Sequence, residues 1–270
     1  MIEKETQSQR NARIRSPLAG WVGGKFLLAK RIVAKIPEEH QCYCEVFAGA
    51  GWVLFRKPPS ATEVLNDKNQ DVATLYRVIQ HHFDEFARQF EWILTSRTEF
   101  ARLSSIPGES LTDIQRAARF FYLQHTAFAG RIKGRQTFCY SVVQPPKLHL
   151  PTLRAELESV HNRLSEVYIE CLSYDDILQR YDRPGTVFYL DPPYDGCEDY
   201  YGKGLWTHAD FGNLAKILAN IKGRFILSIN NTSEMRETFG RFQIGEVETR
   251  YTLCATGNNL RTKELLITNF

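Results

Sequence analysis

The sequence has no run of about 18 uncharged apolar residues, the length a helix needs to cross a bilayer, so no transmembrane span is expected. The segment Met1–Arg10 holds no apolar stretch, so no secretory signal is expected either, and a cytoplasmic protein is. The six cysteines, at 42, 44, 139, 171, 197 and 254, form no C-x-x-C pair, and no Cys/His cluster has zinc spacing. This excludes a zinc ribbon and predicts reduced thiols and no metal. There is neither a complete G-x-G-x-x-G nor a P-loop, so a pyrophosphate ligand is not indicated. Repeats and low-complexity segments are missing too. What is present is ordinary globular composition: 270 residues, 43% hydrophobic and 24% charged, which excludes a disordered or fibrous chain. That length suits one large α/β domain, or a domain with a substantial insertion, with a core that needs no disulfides.

Net charge is only +3, but it is unevenly placed. Residues 1–35 carry eight Lys/Arg against two Glu, and residues 97–163 carry ten against five acids. From Arg131 to Arg154 there are five basic residues and no acid, with Phe138 and Tyr140 interleaved. A basic segment bearing aromatics in a near-neutral chain points to a polyanion partner, although a solvated basic face has the same composition.

Residues 1–16 are polar and aperiodic and are expected to form a mobile arm. Helical periodicity is expected over 25–36, 70–80, 83–94, 111–128, 153–164, 174–180, 209–221 and 233–239. Strands are expected over 41–47, 63–66, 167–171, 186–190 and 225–229, with two more near 241–251 and 263–268. Gly130–Val143 reads as a hairpin or ordered loop. The alternation of strands and helices predicts a doubly wound, mostly parallel α/β sheet. The basic helical block 82–163 interrupts it. It is expected to be an inserted, mainly helical domain, with 17–81 and 164–270 forming the main one.

The sharpest motif is Asp191-Pro192-Pro193-Tyr194, directly after the apolar strand Thr186–Leu190. Chance places this tetrapeptide in about one in a thousand chains of this length, and it stands where open α/β sheets bind ligands, at a strand's carboxyl end. An exocyclic amine on a ring is a poor nucleophile because its lone pair is delocalised. A carboxylate at Asp191 could accept one N–H and the Pro192 carbonyl the other. Two acceptors favour a pyramidal nitrogen, and Tyr194 offers a flat face for the base.

The second motif is Phe47-Ala48-Gly49-Ala50-Gly51, also at a strand end. Glycines there let backbone approach a ligand. Sixteen residues past Gly51, Asp67 ends the next strand. A glycine turn after one strand and an acid after the next is an arrangement that grips ribose hydroxyls.

With these motifs on the page, the chain resembles the Dam-type (D12 class) DNA adenine N6-methyltransferases. The resemblance runs from Trp21-Val-Gly-Gly-Lys25 through Glu45-Val-Phe-Ala-Gly-Ala-Gly51, Asn66-Asp67 and Ser173-Tyr-Asp-Asp176 to Asp191–Tyr194, five motifs in the family's order. It implies a Rossmann-like methyltransferase fold using S-adenosylmethionine, which becomes S-adenosylhomocysteine. It also implies a flipped adenine in double-stranded DNA as methyl acceptor. Trp21 and Lys25 are then expected beside the methionine part of the cofactor. Phe47, Gly49 and Gly51 are expected at its nucleoside, Asp67 at the ribose, Asp176 (or Asp175) at the adenine, and Asp191 between cofactor and target amine. Read without the family, Trp21 is a core residue, Lys25 a solvated helix start and Asp176 a helix cap. Arg131, Lys133 and Arg135 are the expected DNA contacts, with Lys133 near a family arginine that reads a base. The protein is expected to act as a monomer or weak dimer without an obligate protein partner. Gly20 stands where GATC-methylating members carry a lysine, and Leu123–Arg131 departs from the family pattern, which bears on the target sequence. Two alternatives remain open at this point: a cytosine-N4 methyltransferase, against which Asp191 weighs, and a catalytically silent DNA-binding regulator.

Overall fold

The computed structural model describes residues 14–21, 23–128, 137–146, 148–195, 206–251 and 260–270. Its strands are β1 (Cys42–Glu45), β2 (Thr62–Asn66), β3 (Val167–Glu170), β4 (Thr186–Leu190), β5 (Arg224–Asn230), β6 (Gln243–Tyr251) and β7 (Leu260–Thr268). They form one sheet in the order β3-β2-β1-β4-β5-β7-β6. β1 runs parallel to β2 and β4, and β4 parallel to β5, while β7 is antiparallel to both β5 and β6. This is the doubly wound, mostly parallel sheet that the strand–helix alternation predicts.

Strand order reverses between β1 and β4. At such a switch point successive connections leave in opposite directions, opening a crevice at the strands' carboxyl ends. Phe47 follows the end of β1, and Asp191 follows the end of β4. Every residue of β4 is buried, which suits its run of β-branched and aromatic side chains in the sheet's interior.

Alternation along the strands sorts the two faces. Cys44, Val46, Phe188, Leu190, Leu227, Ile229 and Leu265 lie on one face, in an apolar cluster with residues of three helices. Those helices are α7 (Tyr174–Tyr181), α8 (His208–Leu218) and α9 (Ser233–Thr238). The opposite side of the same strands carries Tyr43, Glu45, Tyr189, Ser228 and Glu264, and its register continues to Asp191.

The chain separates into two compact units. One comprises Lys25–Ala48, Pro59–Asn69 and Glu170–Phe270, and holds most of the sheet with the short helix α1 (Ala29–Val33). The other comprises the described residues up to Gly24, with Gly49–Pro58 and Gln70–Ile169. It holds α2 (Gln70–His81), α3 (Phe83–Arg88), α4 (Arg97–Ser105), α5 (Asp113–Thr126) and α6 (Leu150–Leu164). Phe86, Phe90 and Phe121 meet edge to face in its core, with ring centroids 5.2 to 5.7 Å apart.

Several expected elements change. The helix expected over 25–36 shrinks to Ala29–Val33: Phe26 and Leu27, counted in its apolar stripe, are 50% and 56% exposed. The helix expected over 83–94 stops at Arg88, and Trp92 beyond it is 90% exposed, so apolar spacing there does not mark burial. α4 has no counterpart among the expected elements. It buries only Phe100 and Leu103, too few for a stripe, and its start is marked instead by the Ser96 hydroxyl accepting the Glu99 N–H. The helix expected over 111–128 begins at Asp113, behind a Thr112/Gln115 capping box. Of the arm expected over 1–16, residues 1–13 lie outside the described residues. Ser16 is buried, and its hydroxyl donates to the Ala50 carbonyl at 2.5 Å.

Candidate active site

The sheet-bearing unit assembles its charged centre around Asp191. Lys25, expected as a solvated lysine if read without the family, is only 5% exposed. Its Nζ lies 2.7 Å from Asp191 Oδ1 and 2.8 Å from Oδ2. Ser228 Oγ, one position past the Leu190–Leu227 pair of the β4–β5 register and facing the same way as Asp191, donates to Asp191 Oδ1 at 3.0 Å. Behind it, Tyr189 OH and Ser228 Oγ share a hydrogen bond of 2.9 Å. A carboxylate has about four acceptor positions. Lys25 and Ser228 occupy three, and Oδ2 keeps capacity for one further N–H. Burial pushes the Asp191 carboxyl above its ordinary range, while Lys25 and then Ser228 pull it back.

The rest of the motif is held as firmly. Lys25 Nζ sits 4.7 Å from the centroid of the Tyr194 ring, a cation over one aromatic face. The Tyr194 hydroxyl donates to Glu264, and burial raises its pKa well above the usual value. The next residue, Asp195, is clamped by Asn230. Asn230 Nδ2 donates to the Asp195 carbonyl at 3.1 Å, and the Asp195 N–H donates to Asn230 Oδ1 at 3.2 Å.

In the same unit Phe47, Tyr174 and Trp206 form a ring cluster. Phe47 lies 6.4 Å from Tyr174 and 5.4 Å from Trp206, and Tyr174 lies 5.1 Å from Trp206. The Trp206 indole N–H is buried and has no acceptor among the described residues. Asp67 follows β2 as expected. It is half-buried, and its Oδ1 accepts the Asn69 N–H at 2.8 Å, an Asx turn that fixes the carboxylate. Asp175 and Asp176 are both exposed in the first turn of α7. The cap of that helix is Ser173, not Asp176: its Oγ accepts the Asp176 N–H and donates to Asp176 Oδ2 at 2.7 Å.

The glycine turn belongs to the other unit. Gly49 and Gly51 have φ of +46° and +62°, values that side-chain-bearing residues rarely adopt. A Cβ on Gly49 would stand 2.8 Å from Trp21 Nε1, so the Trp21 indole lies directly on the turn. Tyr76 OH fixes the turn by donating to the Gly49 carbonyl at 2.8 Å. Trp21 is buried and meets Phe120 edge on.

Among the described residues Asp195, His208 and Glu234 bring three ligand-type atoms within 4.8 Å of one another. His208 Nε2 lies 2.5 Å from Glu234 Oε1 and Nδ1 lies 3.8 Å from Asp195 Oδ1, on a mostly exposed surface. Arg131, Lys133 and Arg135 lie outside the described residues. Of the residues flanking them, Ala127 and Phe138 form an antiparallel bridge, and the Phe128 N–H donates to the Thr137 carbonyl. Arg97 lies over the rings of Phe138 and Tyr140.

Ser228, Asn230, Glu264 and Trp206 are absent from the motifs read in the sequence. Ser228 and Asn230 interrupt the apolar run that starts at Phe225 in β5, and Glu264 directly precedes the apolar run Leu265–Ile267 in β7, and that was the available signal.

Residues 21–253 match the family described as D12 class N6 adenine-specific DNA methyltransferase. Among relatives, the type II methyltransferase M.CviBI of Paramecium bursaria Chlorella virus NC1A is 26% identical over 263 residues, 94% of this chain and 99% of its own. The DNA adenine methylase of Escherichia coli K12 is 26% identical over 261 residues, 92% of each chain. The type II methyltransferase M.MjaIII of Methanocaldococcus jannaschii is 25% identical, over 94% of this chain and 99% of its own. With a family match running through both the glycine turn and the D-P-P-Y segment, the chain belongs to the D12 class N6 adenine-specific DNA methyltransferases.

Proposed function

We propose that Asp191–Tyr194 holds the adenine amine of a flipped base in double-stranded DNA while it is methylated. The observation that carries this reading is the Lys25–Asp191–Ser228 arrangement beside the switch point. Lys25 and Ser228 hold the carboxylate in one orientation and favour its ionised form. The remaining position on Asp191 Oδ2 takes one amine hydrogen, and the Pro192 carbonyl takes the other. Lys25 covers one face of Tyr194, so a base stacking on that ring takes the opposite face. The test is mass analysis of nucleosides from duplex DNA incubated with the protein and S-adenosylmethionine. N6-methyladenine is expected; N4-methylcytosine as the main product would overturn the reading.

The family implies S-adenosylmethionine, and the residues fit it. The buried Trp206 N–H beside Phe47 and Tyr174 offers a donor to a flat heterocycle, and Asp67 offers a fixed carboxylate to a diol. When bound, S-adenosylmethionine supplies an electrophilic methyl group. We assign Asp67 to the ribose, Phe47, Gly49 and Gly51 to the nucleoside, Asp176 (or Asp175) to the adenine, and Trp21 and Lys25 to the methionine part. Asp67→Ala is expected to weaken cofactor binding about ten- to a hundredfold, the worth of about 1.5–3 kcal/mol for hydrogen bonds to a charged group. Calorimetry measures this, and DNA affinity without cofactor should stay constant. An unchanged cofactor Kd would move the ribose site elsewhere.

The protein is proposed to act on DNA as a monomer or weak dimer, through the basic block 82–163. Arg131, Lys133 and Arg135 alternate in sequence with Ile132 and Gly134, and if that stretch is extended they project from one face. Arg131→Ala or Arg135→Ala is expected to relax the choice of methylated site, because a guanidinium fork matches the guanine edge and discriminates by about 1–3 kcal/mol. Lys133→Ala should weaken binding to all sequences and lower the salt slope by about one unit. Methylation of a randomised duplex library at two salt concentrations reads both effects. If all three variants keep the parent's preference and slope, DNA is read elsewhere in 97–163.

A further inference from the structure

Several buried ionisable groups among the described residues have no part in the chemistry above, and one of them touches the reacting segment. Glu264 is 1% exposed on β7, in the otherwise apolar run Glu264-Leu265-Leu266-Ile267. An acid there is costly to desolvate, and a leucine would pack without that cost. Its placement is specific. In the antiparallel register Glu264 stands directly opposite Asn230, and Leu266 opposite Ser228. Directly opposed residues share a face of the sheet. Three polar side chains on this face therefore grip consecutive parts of one turn. Ser228 holds Asp191, Glu264 accepts the Tyr194 hydroxyl, and Asn230 clamps the Asp195 backbone. Only the Tyr194 bond controls a side chain in the D-P-P-Y segment that offers a flat surface. Without it the ring keeps its contact with Lys25 but loses what fixes its outer end.

We propose that Glu264 is a positioning residue for methyl transfer: by holding the Tyr194 hydroxyl it sets the ring plane against which the target base lies. This rests on Asp191–Tyr194 being the reacting segment. Asn230, opposite it, holds the following residue, so the β5–β7 pair acts as the template of the turn.

Three variants in the full-length protein test it: Glu264→Leu, which has no acceptor; Glu264→Gln, which keeps one; and Tyr194→Phe, which has no donor. Glu264→Leu is expected to lower kcat roughly tenfold or more, as for loss of a hydrogen bond to a charged group. The S-adenosylmethionine Kd should hold. Fluorescence of 2-aminopurine at the target position should show a flipped base that is stacked less well. Glu264→Gln is expected to recover most of the rate, because its amide oxygen still accepts the hydroxyl. Tyr194→Phe should add no further loss to Glu264→Leu, since both remove the same bond. A merely structural role predicts a lower melting temperature with kcat intact. The proposal is overturned if Glu264→Leu keeps the parent's kcat, if Glu264→Gln is as slow as Glu264→Leu, or if the losses at 194 and 264 multiply. Should Glu264→Leu fail to fold, Glu264→Gln and Tyr194→Phe with their double variant carry the same cycle. An active Asp191→Ala would instead remove the reading on which the proposal stands, so the two failures are distinct.

Discussion

Asp191→Ala is expected to abolish methyl transfer, lowering the single-turnover rate about a hundredfold or more, while the protein stays folded. The alanine removes one of the two acceptors that hold the amine. Losing such a preorganised contact at a reacting centre costs a few kcal/mol of transition-state stabilisation, about 1.4 kcal/mol for each tenfold in rate. The surroundings support survival of the fold. Lys25, 5% exposed, loses its nearest counter-charge but still feels the Glu264 carboxylate. Ser228 keeps its bond to Tyr189. Asp191→Asn separates charge from shape. It fills the same space, yet an amide is a poorer acceptor for an amine turning into an ammonium, and one of its two positions becomes a donor facing Lys25 or Ser228. It should be severely impaired as well. Rates on a duplex carrying the target site, with melting curves for both variants, give the result. Near-normal turnover by Asp191→Ala would end the assignment of this segment as the reacting one.

Sequence and structure agree where function is written in consecutive residues, and diverge where it is written in register. β4 could be read to the residue, because Thr186–Leu190 is apolar throughout and the prolines that follow cannot continue a strand. The glycine turn was equally legible, since the positive φ of Gly49 and Gly51 leaves little choice of residue. Ser228, Asn230 and Glu264 were not. Each is a polar side chain within or beside an apolar run, and its task appears only once β5 and β7 are aligned so that Asn230 meets Glu264. Trp206 was hidden in the same way: it closes a proline- and glycine-rich stretch, and only the fold sets it against Phe47 and Tyr174. Lys25 was legible through the family motif alone. Its helical spacing suggested a solvated start, whereas the helix begins at Ala29 and the lysine turns inward to Asp191.

That inward lysine carries the other large effect. Lys25→Met keeps the length of the side chain and removes the charge. Burial raises the Asp191 and Glu264 carboxyls, and Lys25 opposes the rise at both. In the variant both rise further. Transfer needs Asp191 ionised as an acceptor, so the acid limb of kcat/KM should move to higher pH. At pH 7, with saturating cofactor, the rate should fall by at least about tenfold and recover in part towards pH 9. Stability should move the other way. A carboxyl whose pKa is higher in the folded protein takes up a proton on folding, so stability falls as pH rises from its unfolded to its folded value. If the orphaned carboxylate stays charged, the cost is about 3–5 kcal/mol; protonation is what limits it. Relative to the parent, Lys25→Met should therefore melt closest to normal at acid pH, where it is least active, and lose stability as activity returns. A pH–rate profile and melting curves over pH 5–9 test this crossing. An acid limb unmoved in Lys25→Met would mean that the lysine does not act through Asp191, and that its contact with the Tyr194 ring is what the reaction uses.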